Sequence, residues 1–167
     1  MTDGSSWLDP RIEVRPSRIH GLGLFATGPI QPAEVLIRWL GTELPIEDLA
    51  RLKHRIAYAC AALSERTIML FDTTDPVVNG NHSCDPNMWM HDATTESARR
   101  TIEVGEELTI DYAMHSDDAH WQMPCDCRTS LCRKIIRGDD WKLPELQERY
   151  QNHFSPYLTR RFELRSG

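Results

Sequence analysis

Three cysteines crowd into eight residues of this chain, where Cys125, Cys127 and Cys132 read C-x-C-x4-C. Thiols one residue apart rarely reach disulfide geometry, which wants Cα atoms ~4.4–6.8 Å apart and converging Cβ vectors. Five cysteines in 167 residues are also too few for a disulfide-stabilised scaffold. Metal is the better use of the cluster. A structural zinc takes four soft ligands in a tetrahedron, so three clustered thiolates need a fourth from elsewhere. Cys84 and Cys60 are the two candidates.

The elements that must position these thiols belong to one compact domain, since 167 residues with 40% hydrophobic and 26% charged side chains suit a single core. The longest unbroken apolar stretch, Ile56 to Leu63, falls far short of the ~20 residues of a membrane span. The first residues, Met1 to Pro10, carry neither a basic n-region nor an apolar h-region, so a cytoplasmic or other intracellular location is expected. A net charge of −6 is the wrong sign for a phosphate backbone, and no direct nucleic-acid partner is expected. A negative field favours cationic partners such as lysine-rich peptides.

Short strands dominate the pattern. Ile12 to Arg15 alternates, Val35 to Trp39 is a β-branched run ended by Gly41, and further strands are expected over 68–71, 88–91, 98–102 and 107–112, the last after a Gly105-Glu106 turn. Apolar residues Ile46, Leu49, Leu52 and Ile56 recur at helical spacing between Pro45 and Ala57. Glu47 and Asp48 in the first turn and Lys53, His54 and Arg55 in the last suit the helix dipole. Past Cys132 the chain breaks at Gly138-Asp139-Asp140. Pro144 then fits the first position of one helix, and Ser155 before Pro156 fits the N-cap of another. Trp141, Tyr150, Phe154, Tyr157 and Phe162 are expected to dock this tail on the domain.

Three separated segments resemble, in order and spacing, the signature blocks of SET-domain protein-lysine methyltransferases. They are Gly21-Leu22-Gly23-Leu24-Phe25-Ala26, Asn81-His82-Ser83-Cys84-Asp85-Pro86-Asn87, and Gly105-Glu106-Glu107-Leu108-Thr109-Ile110-Asp111-Tyr112. The cysteine cluster resembles the post-SET zinc loop of that family. A G-x-G alone is weak evidence, because two glycines in a turn are common. The two longer blocks are highly specific, and their co-occurrence with C-x-C-x4-C makes chance negligible.

The resemblance implies Cys84 as the fourth ligand of one structural zinc, with Cys125, Cys127 and Cys132. Cys60 sits in Ala59-Cys60-Ala61-Ala62, a setting that suits a small buried thiol. Such a metal would clamp the central segment to the C-terminal loop. The implied reaction moves a methyl group from S-adenosylmethionine to the ε-amine of a lysine in a protein substrate. That amine must be neutral, although its reference pKa is about 10.4. By the same resemblance Tyr112 is the catalytic tyrosine, the backbone of Gly21, Leu22 and Gly23 lines the cofactor, and Asn81 and His82 hold its amino-acid and adenine portions. Ile135 or Ile136, with Ile136 preferred, closes over the adenine ring. Trp39 and Ile110 line the lysine channel.

In its departures from the family pattern this chain resembles the compact, stand-alone SET proteins. The segment between Gly41 and Phe71 is short, so the variable insert is reduced to about one helix. Trp39-Leu40-Gly41 stands where the family commonly has Y-x-G, and Asp75 to Gly80 lacks the usual Arg-Phe pair. The expected fold is mainly β, with small curved sheets, short helices and a knot-like topology. Its expected divisions are a flexible 1–10, a SET domain over 11–115, a post-SET zinc loop over 116–137 and a helical C-terminal tail over 138–167. The expected activity is protein-lysine N-methylation, on histone-like tails or on another lysine-bearing protein such as a translation factor or ribosomal protein. Ile110 lacks a hydroxyl that would stop the reaction early, so di- or trimethyllysine is the expected product. The alternative is a catalytically silent, zinc-stabilised SET module serving as a protein-interaction platform.

Overall fold

The computed structural model describes residues 6–49 and 60–166. Its strands are β1 (Trp7–Leu8), β2 (Ile12–Pro16), β3 (Leu22–Ala26), β4 (Val35–Arg38), β5 (Thr42–Pro45), β6 (Cys60–Ala62) and β7 (Thr67–Leu70). There follow β8 (Asn81–His82), β9 (Met88–Met90), β10 (Thr95–Ala98), β11 (Glu107–Ile110), β12 (Gln122–Pro124) and β13 (Ile135–Arg137). Helices are few and short: α1 (Ile46–Leu49), α2 (Pro144–Tyr150) and α3 (Pro156–Ser166). The fold is mainly β, as the patterning predicts.

The strands form small open sheets rather than one large one. Their orders are β1-β4-β10-β9, β2-β3-β11-β8, β5-β7-β6 and β12-β13. The β8–β11 pair is parallel, with Thr109 opposite Asn81 and Ile110 opposite His82. The central segment therefore lies against a strand that comes nearly thirty residues later. Leu24, Leu36, Ile37, Met90 and Leu108, from four different strands, are fully buried in one core. No helix among the described residues is long and apolar enough to cross a membrane.

The expected helix over 45–57 is visible at its start as α1, with Glu47 and Asp48 in the first turn. Its remainder falls outside the described residues. The strand expected over 98–102 is displaced to Thr95–Ala98, and Ile102 makes only an isolated bridge to Ile30. A register shift between Glu96 and Ser97 bends β10 where it pairs with β4. Arg99 and Arg100 then turn out to Asp85 and Glu106.

Beyond β13 the chain packs back on the core. Pro144 opens α2, where a missing N–H costs nothing, and Ser155 Oγ accepts from Leu158 N at 3.4 Å to cap α3. Trp141, Leu146, Tyr150, Phe154 and Leu158 are buried in the same cluster as the strands. Asp117 receives the indole N–H of Trp141 at 2.9 Å, the hydroxyl of Tyr157 at 2.6 Å, and Arg161.

Candidate functional site

Cys84 leaves the end of β8, while Cys125, Cys127 and Cys132 lie in the loop that joins β12 to β13. The fold brings all four together, with Sγ atoms within 4.8 Å of one another. Cys84 and Cys125 Sγ are 3.8 Å apart, which matches the edge of a tetrahedron whose metal–sulfur bonds are about 2.3 Å. Burial pushes the Cys84 thiol up to about 11 and Cys125 well above the ordinary thiol range. Burial also acts to raise Cys127, but hydrogen bonding led by Thr129 outweighs it and brings that thiol down to about 6. Four thiolates in one pocket repel one another, and a soft dication is the group that lets them coexist. The donor set and its spacing fit zinc. Cys60 is outside the group; it begins β6, and burial raises its thiol to about 11.

Between this cluster and the main core lies a buried polar network that the motifs alone do not announce. Asp111 is fully buried and receives Arg133 in a fork, Nη1 to Oδ2 at 2.6 Å and Nη2 to Oδ1 at 2.8 Å. The Tyr150 hydroxyl donates to the same carboxylate at 2.9 Å, and the Ala113 N–H at 3.0 Å. Arg133 also reaches Asp140 through Nε, and its backbone N–H donates to Cys84 Sγ at 3.3 Å. Burial alone would raise the Asp111 pKa, but the Arg133 bonds outweigh it and the carboxyl is held below its usual range. Three separated segments thus meet on one carboxylate.

His82 completes the link. Its Nδ1 accepts the backbone N–H of Tyr112 at 3.2 Å, so the proton is assigned to Nε2, which faces Cys84 Sγ at 3.3 Å. Burial, with help from Arg133, lowers the His82 pKa to about 4 despite nearby Asp111, and the ring is neutral. A neutral imidazole with both nitrogens spent cannot also hold a ligand through its ring.

Tyr112 sits at the seam. Asp111 caps the 3-10 turn it opens, its hydroxyl donates to the Gly80 carbonyl at 2.9 Å, and its ring packs between the main core and the cysteine cluster. His82, His115 and Trp121 stand around it at centroid distances of 5.2, 5.7 and 6.2 Å. Trp39 meets His115 edge-on at 5.2 Å and Phe71 at 5.4 Å. Ile110 is buried at the end of β11, two residues before Tyr112.

Asn81 gathers the glycine turn. Its amide nitrogen donates to His20 O at 3.2 Å, Leu22 O at 2.9 Å and Glu107 Oε1 at 2.8 Å, which turns its Oδ1 acceptor the other way. Gly21 has φ +47°, a left-handed conformation that glycine adopts without strain, and the space over its Cα is open. A side chain at Gly23 would overlap the Glu107 carboxylate and crowd Phe25. Glu107 in turn accepts the Ser17 hydroxyl at 2.7 Å. Of the two isoleucines in β13, Ile136 is buried against Cys84 and Cys125, and Ile135 beside it is exposed.

Arg133, Glu107, His115 and Tyr150 join the residues that the sequence singles out. Glu107 and Asp111 lie inside a recognised block, and Arg133 directly follows a cysteine of the cluster, so their positions held a signal. Tyr150 carried none beyond its place in an aromatic tail. Asn87, the last residue of its block, serves the frame: Oδ1 accepts from Thr109 N at 2.8 Å and Nδ2 donates to Glu107 O at 2.8 Å.

The SET domain family matches residues 21–113 of this chain. The human protein named Histone-lysine N-methyltransferase 2B is 31% identical over 140 residues, covering 75% of this chain and 5% of that protein. Histone-lysine N-methyltransferase set-2 of Caenorhabditis elegans is 30% identical over 141 residues, 75% of this chain and 9% of its own length. Histone-lysine N-methyltransferase trithorax of Drosophila melanogaster is 31% identical over 135 residues, 72% of this chain and 4% of its own length. The chain therefore spans only a small fraction of the curated relatives it matches.

Proposed function

Because this chain belongs to the SET-domain family, we propose that it is a protein-lysine N-methyltransferase dependent on S-adenosylmethionine. The observation that carries this reading is the double anchoring of Tyr112, by hydroxyl to Gly80 and by backbone N–H to His82, beside Asn81 and the glycine turn. The residues present fit the cofactor: an open surface over Gly21, an Asn81 whose amide nitrogen is bonded to the glycine turn, and the exposed apolar side chain of Ile135 on β13. S-adenosylmethionine supplies the methyl group as an electrophile on a sulfonium.

The rest of the work falls to the chain. The backbone of Gly21, Leu22 and Gly23 cradles the ligand, and Asn81 Oδ1 accepts from its ammonium. His82 serves through its backbone, since its ring is committed elsewhere. Of the two β13 isoleucines, which face opposite sides of the strand, Ile136 is assigned to the adenine side, with Ile135 the alternative. Trp39, Ile110 and Tyr112 wall a narrow channel that strips water from the lysine ε-amine, and desolvation favours its neutral form. The Tyr112 hydroxyl orients that amine in line with the methyl group, and such alignment is worth roughly 7–11 kcal/mol. Cys84, Cys125, Cys127 and Cys132 hold one structural zinc. The catalytic unit is assigned to 11–115, the zinc loop to 116–137 and the docked tail to 138–167.

The substrate is a lysine in a basic peptide, histone-like or otherwise, which suits a chain of net charge −6. Ile110 offers no hydroxyl to a partly methylated amine, so the product is di- or trimethyllysine. Methyl-labelled S-adenosylmethionine incubated with the protein and a cell lysate, read by mass spectrometry, tests the reading. Label on lysine ε-nitrogens is expected, and Tyr112→Phe should remove most of it while leaving fold and cofactor affinity intact. Absence of S-adenosylmethionine binding in a calorimetric titration would instead fit a silent interaction module.

A further inference from the structure

The second glycine of the Gly21-Leu22-Gly23 turn makes room for a side chain of the protein itself. Gly23 has no positive φ, so its backbone would suit other residues. A Cβ there would overlap Oε1 of Glu107 and lie 2.9 Å from its Cδ. The edge of the Phe25 ring is the next neighbour, at 3.1 Å, and a ring can turn aside. Glu107 stands in β11 opposite Phe25, two residues along β3 from Gly23, and the missing side chain gives its carboxylate a seat. The glycine turn and the block that ends in Tyr112 are therefore shaped to each other at this point.

The bonds of that carboxylate show what the seat is for. Oε1 accepts from Ser17 Oγ at 2.7 Å and from Asn81 Nδ2 at 2.8 Å, and Oε2 accepts from Ser17 Oγ at 2.9 Å. Ser17 shapes the chain that leads into the glycine turn, since its Oγ accepts from Ile19 N at 2.8 Å and its N–H donates to Gly21 O at 3.0 Å. Asn81 Nδ2 bonds the carbonyls on either side, His20 O and Leu22 O. With three acceptors around it, that branch of the amide is nitrogen, and fixing the nitrogen of a planar amide fixes its oxygen as well. Glu107 makes the shortest of the three bonds, and a carboxylate is a stronger acceptor than a backbone carbonyl. No donor among the described residues reaches Asn81 Oδ1, which keeps its lone pairs for a ligand.

We propose that Glu107 is a positioning residue for the cofactor: one carboxylate, seated against Gly23, locks the glycine turn through Ser17 and sets the orientation of the Asn81 amide. The inference rests on the proposed function for the identity of the ligand as S-adenosylmethionine. Glu107 acts through Ser17 and Asn81, and it is Glu107 that requires glycine at position 23.

The test uses the full chain labelled with 15N, calorimetric titration with S-adenosylmethionine, and an Asn81→Asp variant to assign the Asn81 side-chain amide signal. Glu107→Ala should shift that signal in the free protein and weaken cofactor binding roughly tenfold, measured where the variant is fully folded. Glu107→Gln keeps an acceptor oxygen for Asn81 and should recover most of the affinity, which a general loss of stability would not predict. Gly23→Ala should weaken binding by a similar factor alone and by much less when added to Glu107→Ala, because the side chain it obstructs is gone. An unmoved Asn81 signal or an unchanged affinity in Glu107→Ala overturns the proposal, as do equal losses from Gly23→Ala in the two backgrounds. If Glu107→Ala does not fold, Ser17→Ala carries the test, since it removes one donor from the carboxylate; it should weaken binding about threefold, and an unchanged affinity there overturns the proposal. A wild type that binds no S-adenosylmethionine refutes the proposed function, while the Asn81 signal in the free protein still decides whether Glu107 orients that amide.

Discussion

Two carboxyl groups are buried in this molecule to nearly the same depth and live in opposite surroundings. Asp111 takes both ends of the Arg133 guanidinium, a tyrosine hydroxyl and a backbone N–H, and stays ionised. Glu96 has no ion pair among the described residues and an unpartnered Oε2, and burial keeps its proton on. The first is a joint, because three segments meet on it and each supplies a partner. The second is an acid inside a fully buried strand, where no side chain of opposite charge meets it among the described residues. Burial by itself therefore says little about a charged residue; the number of partners decides whether it holds the fold together or strains it.

The comparison can be broken hardest at the joint. Arg133→Met leaves Asp111 buried and uncompensated, which should destabilise the protein by about 3–5 kcal/mol in urea unfolding and loosen the metal loop with it. Next comes the metal. Cys84→Ser should lower zinc stoichiometry and methyl transfer in parallel, because Cys84 also accepts from Arg133 and faces His82; active wild-type protein free of zinc by metal analysis would refute the four-cysteine site. Tyr150→Phe removes one bond to Asp111 and keeps the ring, and a loss of about 1–2 kcal/mol is expected from thermal or urea midpoints.

The gentlest test separates the two carboxyls by their response to pH. Asp111 has a lowered pKa in the folded state, so its contribution is present above the unfolded value of 3.8 and is lost as pH falls through the folded value. Glu96 runs the other way. Its folded pKa of about 8 exceeds the unfolded 4.5, so the unfolded chain gives up the proton first and stability declines as pH rises from about 4.5 to about 8. Glu96→Gln should abolish that decline, and its advantage over the wild type should grow between pH 5 and pH 8. Parallel stability profiles for the two proteins would show that Glu96 is already ionised in the fold.

The same contrast explains what could be read from the residues in advance. The glycine turn, the Asn81 to Asn87 block and the cysteine loop announce themselves because their chemistry is local, and the fold gathers them as the family resemblance implies. Strand β10 lies at Thr95–Ala98 and not over 98–102, because Glu96, a residue that patterning reads as solvent-facing, is buried in the core. Asp111, Arg133 and Tyr150 are each visible as residues, but their meeting depends on tertiary packing and on no periodicity of the chain. The tail aromatics were expected to dock, yet nothing in their spacing says that one hydroxyl would reach the buried carboxylate beside Tyr112.

That long reach orders events during synthesis. Asp111 leaves the ribosome 22 residues before Arg133 and 39 before Tyr150, so the nascent chain carries an unmatched acid next to its key tyrosine until the following segments emerge. The pairing of β8 with β11 and the anchors of Tyr112 on Gly80 and His82 need no residue beyond Tyr112. Asp111 gains its full set of partners only when Arg133 and then Tyr150 have emerged. A translating chain thus completes the polar joint beside Tyr112 with its last segment.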